Sequence, residues 1–427
     1  MQMTNRWDDA AAQGWIDGAG NDPADRDLAL RIYTSRLIGC DPDLVLHGGG
    51  NTSVKTRRRG PDGALRDVMH VKGSGWDLGA IEAPGLPALE LGPLRAARSA
   101  PPLSDPEMVA LLRANLLNPK APNPSLETLL HAFLPAKFVD HSHATAVLVL
   151  VNQPDAAEIG RRIFGDRFAI VPYVMPGYDL SVAAARIFDA NPGCEGLWLV
   201  NHGLFTFGDT ARQSYDRMID AVNAAERFLA DKGVVVQAPQ VSEPASTDAN
   251  RWSALLADRL RRSGTVFAAG VALDFRRDPS ILALHARADL ADVATRGTVT
   301  PDHVIRSKPF PLILAGTEDA DEVDAALARF ADAYLDYFRV GANRTSEPKV
   351  MLDSLPRAVH VRGLGLFGVG RTQAEAGIVA DLATQSARVI LAAEDFGRFT
   401  PLSPTDLFEM EYWSLEQAKL KKPGGGA

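Results

Sequence analysis

The chain has 427 residues, 46% of them hydrophobic, enough to bury two cores of ordinary domain size. Its formal net charge of −8, from 45 basic against 53 acidic side chains, argues against nonspecific nucleic-acid binding, which needs a basic surface. The two cysteines, Cys40 and Cys194, exclude a disulfide framework and read as buried thiols in a reducing cytoplasm.

Met1 to Asp9 lacks the apolar core of a signal peptide, and no stretch approaches the length of a membrane span. Neither secretion nor a membrane partner is expected. Asp25 to Leu37 carries Leu28, Ile32 and Leu37 at helical spacing and is stopped by Asp41-Pro42. Val45 and Leu46 predict a short strand leading into His47-Gly48-Gly49-Gly50-Asn51. Glycines there let backbone N–H groups approach a ligand closely, and they equally suit a tight hairpin. Val54-Lys55 continues as strand, Arg57 to Gly63 reads as a solvated turn, and Val68 to Val71 returns as a strand. It ends in Lys72-Gly73-Ser74-Gly75, a second candidate anion cradle.

Ser104-Asp-Pro-Glu107 is a capping-box start, followed by a core stripe of Met108, Leu111, Leu112 and Leu116. Asn123 as N-cap and Pro124 at the first helical position predict the next helix, with Glu127 in its first turn. The free N–H groups of that start and the Ser125 hydroxyl form a third anion-binding element. Alone, Glu127 reads as a carboxylate favoured by the helix dipole. Phe138 and Val139 are strand formers. On an extended segment His141 and His143, two apart, project from one face, close enough to share one metal ion. Asn152 to Asp155 reads as a turn and Phe168 to Val174 as a strand. Leu197 to Val200 reads as a buried strand that delivers Asn201-His202-Gly203, and a long helix runs from about Thr210 to Asp231. Three imidazoles with a fourth position open is the arrangement of catalytic rather than structural zinc. Beside them Glu127 reads as a general base.

The succession Gly49-Gly50-Asn51-Thr52-Ser53, Lys72-Gly73-Ser74-Gly75, Pro124-Ser125-Leu126-Glu127, His141-Ser142-His143 and Asn201-His202-Gly203-Leu204 resembles the class II aldolase/adducin family. Order and approximate spacing both match, over roughly Asp25 to Gly233. The resemblance implies an α/β fold with a three-layer αβα domain. It implies a Zn2+ site (or another divalent cation) on His141, His143 and His202, with Glu127 moving the proton. It also implies phosphate ligands at Gly50, Asn51, Ser74, Gly75 and Ser125. Some family aldolases have a second Ser before the Glu. This chain has Leu126 there, which removes one phosphate contact.

Val236 to Asp248 is rich in Pro, Ser and Ala and reads as a linker. Beyond it, Gly363-Leu364-Gly365-Leu366-Phe367-Gly368 fits a dinucleotide-binding fingerprint, with Asp381 at a suitable distance. That reading fails because too little chain remains for further βαβ units. An internal repeat accounts for it better. Gly203-Leu204-Phe205-Thr206-Phe207-Gly208 matches Gly365-Leu366-Phe367-Gly368-Val369-Gly370, each after a short apolar strand and before a long helix. In this register Leu364 replaces His202, and no His-x-His precedes it. A second, degenerate aldolase-like domain without a metal site is expected, with His285, His303 and His360 scattered and structural. The domain plan is 1–235 catalytic, 236–249 linker, 250–413 degenerate repeat and 414–427 tail. The second half also resembles the middle of bifunctional proteins that fuse this unit to a short-chain dehydrogenase, and Glu411 to Leu420 resembles the joining segment. With the dehydrogenase absent from these residues, no nicotinamide site is expected.

The resemblance implies a metal-dependent lyase. A ketose, as its 1-phosphate, would be cleaved by a retro-aldol reaction to dihydroxyacetone phosphate and an aldehyde, the metal stabilising the enediolate. Epimerisation or decarboxylation through the same enediolate, and a non-catalytic adducin-like interaction module, are the alternatives. Single-copy members form fourfold rings, so a homo-oligomer is expected. One form of it is a dimer in which tandem copies imitate the ring; the other is a tetramer of the competent domains.

Overall fold

The computed structural model describes residues 2–60, 62–236, 247–263 and 266–417. It divides into two compact units, Met1–Val151 with Asp155–Lys232, and Asn152–Pro154 with Gly233–Ala427. Most of the expected linker, residues 237–246, lies outside the described residues, and helix Thr247–Arg262 begins within its last part. The tail is a short helix, Ser414–Gln417, and residues 418–427 lie outside the description.

The first unit is built on strands β1 (Asn51–Arg59), β2 (Leu65–Val71), β3 (Ala88–Glu90), β4 (Phe138–Ser142), β5 (Phe168–Val171), β6 (Gly196–Leu199) and β7 (Gly203–Gly208). They form one sheet in the order β3-β2-β1-β4-β7-β6-β5. Only β5 and β6 run parallel; every other pair is antiparallel. Strand alternation sends neighbouring side chains to opposite faces. Against one face pack helices Pro23–Gly39 and Ala211–Ala230; against the other, Thr128–Phe133 and Tyr178–Ala190. These are the three layers expected. Val139, Phe205 and Phe207 meet Leu130, Leu180 and Ala184 on the second face. Asp140 and Ser142 point the other way, to Arg31 and Met218.

Several local expectations change. Val45 and Leu46 are not strand but link two turns, Pro42 to Leu44 and His47 to Gly48, with Leu44 and Val45 donating back to Asp41 O and Gly49 to Leu46 O. Strand β1 runs on through Arg59, since Arg57, Arg58 and Arg59 pair with Asp67, Arg66 and Leu65. The apolar run after the His pair is a helix, Thr145–Val151, buried on every side. Cys40 is exposed at the C-cap of the helix Pro23–Gly39, while Cys194 is buried.

The second unit has strands β8 (Ala272–Arg276), β9 (Leu312–Leu314), β10 (Ala358–Val361) and β11 (Gly365–Gly370), in the order β8-β11-β10-β9. Only β9 and β10 are parallel. That is the order and polarity of β4-β7-β6-β5. Backbone bonds repeat as well. Val200 donates to Val171 O and Arg362 to Leu314 O; His202 donates to Leu199 O and Leu364 to Val361 O. Asn201 and Gly363, at the same place in the two hairpins, both have positive φ, 55° and 77°. Asn and Gly are the residues that adopt this conformation at least cost. The internal repeat is therefore one of topology and not only of sequence.

The fingerprint glycines have a packing reason. A Cβ on Gly368 would stand 2.2 Å from Ala376 O, where β11 lies against helix Gln373–Phe396. Asp381 pairs with Arg276 rather than facing a ribose site. His285 and His360 are not scattered: both are buried, and their rings meet Nε2 to Nδ1 at 2.9 Å. Helix Gln373–Phe396 is long and apolar enough to cross a membrane, contrary to the sequence expectation. Its most apolar window is 67% buried within the fold, as in the core helix of a globular domain.

Candidate active site

The site is assembled on the β1, β4 and β7 side of the first unit. Asn51 lies across from His141 in the β1–β4 ladder, and His141 lies across from Phe205 in the β4–β7 ladder. The His141 ring stacks on Phe205 at 4.2 Å between centroids and 13° between planes. His143 follows just past β4, where its N–H donates to Leu44 O. His202 comes from the β6–β7 hairpin, whose turn depends on the left-handed Asn201. One nitrogen from each of the three imidazoles lies within 4.8 Å of the others, and all three residues are buried. His141 Nδ1 donates to Leu204 O at 3.0 Å, so its Nε2 presents a lone pair to the centre. His143 Nε2 is 3.0 Å from it.

Glu127 faces this cluster. Its Oε2 is 3.5 Å from His141 Nε2 and its Oε1 is 3.6 Å from His202 Nε2. Oε1 is buried and has no hydrogen-bond partner among the described residues. Three imidazole nitrogens are a donor set that fits a divalent ion such as zinc, and the unpartnered carboxylate oxygen stands beside them.

The helix expected from Pro124 starts later. Its bounds are Thr128–Phe133, with Glu127 as N-cap at φ −90° and ψ 10°. Residues 122–125 are instead pinned along the Lys72–Gly75 loop. Gly73 bridges Pro124, Ser74 N donates to Asn123 O at 2.7 Å, and Ser125 N donates to Lys72 O at 2.9 Å. The anion element imagined as free helical N–H groups is therefore replaced. Those peptide groups hold two loops together, so Ser74 and Ser125 have their hydroxyls as the remaining means to reach an anion. Asn51 Nδ2 donates to Ser125 Oγ at 3.2 Å and to Glu127 Oε2 at 2.6 Å. Lys72 Nζ donates to Gly48 O at 2.5 Å and ties down the glycine loop. Gly50 has φ 59°, and a Cβ there would stand 2.6 Å from His141 O. Asn51, Ser74, Ser125 and Glu127 are thus brought into one neighbourhood, with Gly50 and Gly75 adjoining them in the chain.

Sequence reasoning overlooked His131, Ser53 and the Arg31–Asp140 pair. His131 Nδ1 meets Ser53 Oγ at 2.8 Å, and its Nε2 meets Asn51 Oδ1. Burial, reinforced by the nearby positive charge of Lys55, holds His131 well below the usual histidine range, so it is neutral. The signal was present: Glu127 and His131 are four apart on one helix face, and Asn51 and Ser53 are two apart on one strand face. On the reverse face Asp140 is paired with Arg31, and both are fully buried.

In the second unit the same positions carry other chemistry. The β8–β11 register puts Phe275 across from Phe367, as His141 is across from Phe205. Arg277 then takes the place of His143, and its guanidinium donates to Leu364 O at 2.8 Å. Among the described residues no second metal-binding cluster is found.

Residues 30–229 match the family profile of the class II aldolase and adducin N-terminal domain, and residues 251–420 that of the aldolase class II second domain. The chain is 30% identical over 406 residues to an uncharacterized oxidoreductase, YuxG, of Bacillus subtilis (strain 168), a match covering 91% of this chain. It spans 57% of that protein's length. A solved N-terminal class II aldolase domain of a conserved protein from Thermoplasma acidophilum is 41% identical. That match covers 53% of this chain and 99% of that one, with a TM-score of 0.47. The sugar-phosphate aldolase from Thermotoga maritima is 15% identical, over 47% of this chain and 93% of that one, with a TM-score of 0.36.

Proposed function

The chain belongs to the class II aldolase/adducin family, and from that premise we propose that it is a metal-dependent lyase that cleaves a ketose 1-phosphate by a retro-aldol reaction. The products are dihydroxyacetone phosphate and an aldehyde. The observation that carries the reading is the buried Glu127 carboxylate set within 3.6 Å of imidazole nitrogens from a three-histidine cluster. A divalent ion bound there supplies Lewis acidity for the negative charge that develops when the carbon–carbon bond breaks.

The residues divide the remaining work. His141, His143 and His202 hold the ion. Glu127 exchanges a proton with the carbon that loses its bond to the aldehyde. Gly50, Asn51, Ser74, Gly75 and Ser125 bind the phosphate and so fix where that carbon lies. The layers around the site keep the carboxylate and imidazoles out of bulk water, which strengthens each of these interactions. We propose a homo-oligomer, dimer or tetramer, because single-copy members of the family assemble in rings.

The test is a screen of ketose 1-phosphates and free ketoses with the zinc-loaded protein, with products identified by mass and stereochemistry. Release of dihydroxyacetone phosphate supports the lyase. An epimer or carbon dioxide as sole product replaces it with the corresponding family reaction. No turnover of any of them, with zinc bound in stoichiometric amount, removes the reading.

A further inference from the structure

Glu127 is the end of a buried hydrogen-bond chain whose direction is fixed by chemistry. Ser53 Oγ and His131 Nδ1 are 2.8 Å apart, His131 Nε2 contacts Asn51 Oδ1, and Asn51 Nδ2 reaches Glu127 Oε2 at 2.6 Å. All four residues are buried. A carboxylate can only accept, so Asn51 must turn its NH2 toward Glu127 and its carbonyl toward His131. The ring must then carry its proton on Nε2. A neutral imidazole with Nε2–H accepts at Nδ1, so the Ser53 hydroxyl donates. The opposite order sets the Asn51 carbonyl against the carboxylate, acceptor against acceptor, inside the protein, where that arrangement costs most.

We infer that His131 is a positioning residue: through Asn51 it holds Glu127 Oε2 and leaves Oε1 as the oxygen that exchanges the proton. The inference rests on the proposed acid–base role of Glu127. Oε2 already accepts a short bond from Asn51. Oε1 accepts none among the described residues and is turned toward His202. In the cleavage direction the hydroxyl that becomes the aldehyde oxygen gives its proton to solvent water as the carbon–carbon bond breaks, and the released carbon uses the electron pair of that bond to take a proton from protonated Oε1. In the reverse direction a C–H bond of dihydroxyacetone phosphate breaks, its electron pair stays on the carbon, and the proton goes to Oε1. His131 never touches substrate. It is also the link that makes the Asn51 amide unable to rotate.

Two measurements on the full-length protein test this. The first is independent of any reaction: nitrogen-15 NMR of histidine-labelled protein, with His131 assigned by comparison with His131→Gln. The expected signature is a neutral ring protonated on Nε2. Protonation on Nδ1 overturns the chain direction. The second is exchange of the C3 protons of dihydroxyacetone phosphate in deuterated water by the zinc-loaded protein. His131→Leu, which has no donor, should slow exchange on the order of 10- to 100-fold, the usual effect of losing an outer-sphere partner. Zinc content and half-saturation should stay near wild type. His131→Gln, whose amide N–H can stand in for Nε2–H, should recover most of the rate. Wild-type exchange by His131→Leu, or equal loss in both variants, overturns the positioning role. If wild type itself does not exchange protons, the lyase reading fails instead, and the NMR result still decides the direction of the chain. If His131→Leu does not fold, the Gln variant and the NMR result carry the decision.

Discussion

At the scale of single residues, the proposed roles separate holding an ion from transferring a proton. His141 is fixed at both ends of its ring, by Leu204 O at Nδ1 and by the Phe205 stack. Replacing it with alanine leaves two imidazoles and water, which hold an ion weakly. His141→Ala is expected to lose bound zinc and activity together, measured by atomic emission on dialysed protein; stoichiometric zinc in the His141/His143/His202 triple alanine variant would place the site elsewhere. Glu127→Gln keeps the shape and removes the carboxylate. Its zinc content should match wild type while turnover falls on the order of 10²–10⁴-fold, the typical contribution of general acid–base catalysis. Near-normal turnover would assign the proton to another group.

At the scale of elements, β4 is the divider of the first unit. One face carries His141 and Val139 toward helix Thr128–Phe133, and the other carries Asp140 to the buried Arg31. The ladder on its far side constrains the proposed metal ligands directly. A Cβ on Gly203 would stand 2.5 Å from Ser142 O and 3.1 Å from His143 Cδ2. Gly203→Ala must therefore push β7 from β4 or displace the His143 ring. Its zinc affinity is expected to fall at least about tenfold, the scale at which small displacements around a metal are felt, with the circular dichroism spectrum retained. Unchanged affinity in a competition titration with a chelating dye would show that the hairpin absorbs the methyl group without moving His143.

At the scale of the whole molecule, one topology is used twice with opposite chemistry. Phe275, Arg277 and Leu364 occupy the register positions of His141, His143 and His202. The triple variant F275H/R277H/L364H should bind a second zinc per chain. A stoichiometry that stays at one would show that matching strand register is insufficient to recreate ligand geometry.

The second unit also has its own acid sensitivity. Burial pulls His360 down to about 3 and His285 to about 4, against an ordinary value of 6.5. The unfolded chain then binds protons that the folded chain refuses. Stability is full above about pH 6.5 and is lost as pH falls through that value toward 4. His360 alone accounts for on the order of 3 kcal/mol by pH 4. His360→Phe should flatten this dependence in urea unfolding monitored between pH 7 and 4. An equal slope in the variant would locate the acid sensitivity elsewhere. Assembly is read by light scattering, where a mass of two or four chains is expected and a monomer would remove the ring proposal.

The sequence by itself determined which residues could do chemistry. His141 and His143 at a two-residue spacing, His202 after an apolar strand, and the paired Gly-Leu-Phe segments are local patterns, and local patterns follow from strand geometry. It also disclosed the repeat, since Leu364 falls where His202 stands. The tertiary structure decided what those patterns become. Asn123-Pro124 carries good helix-start signals, yet the bridge between Gly73 and Pro124 holds the segment extended and moves the helix start to Thr128. The apolar run Ala146–Val151 fits strand or helix equally well, and its burial on every side leaves the choice to packing. His131, Asn51 and Ser53 are unremarkable polar residues until β1 and the helix Thr128–Phe133 face each other. A hydrogen bond between residues 80 apart in the chain, such as that of His131 to Asn51, has no periodicity to betray it. Which residues share a strand face is set by neighbours in sequence; where a helix starts, and which buried polar groups meet in a hydrogen-bond chain, is set by what the fold brings together.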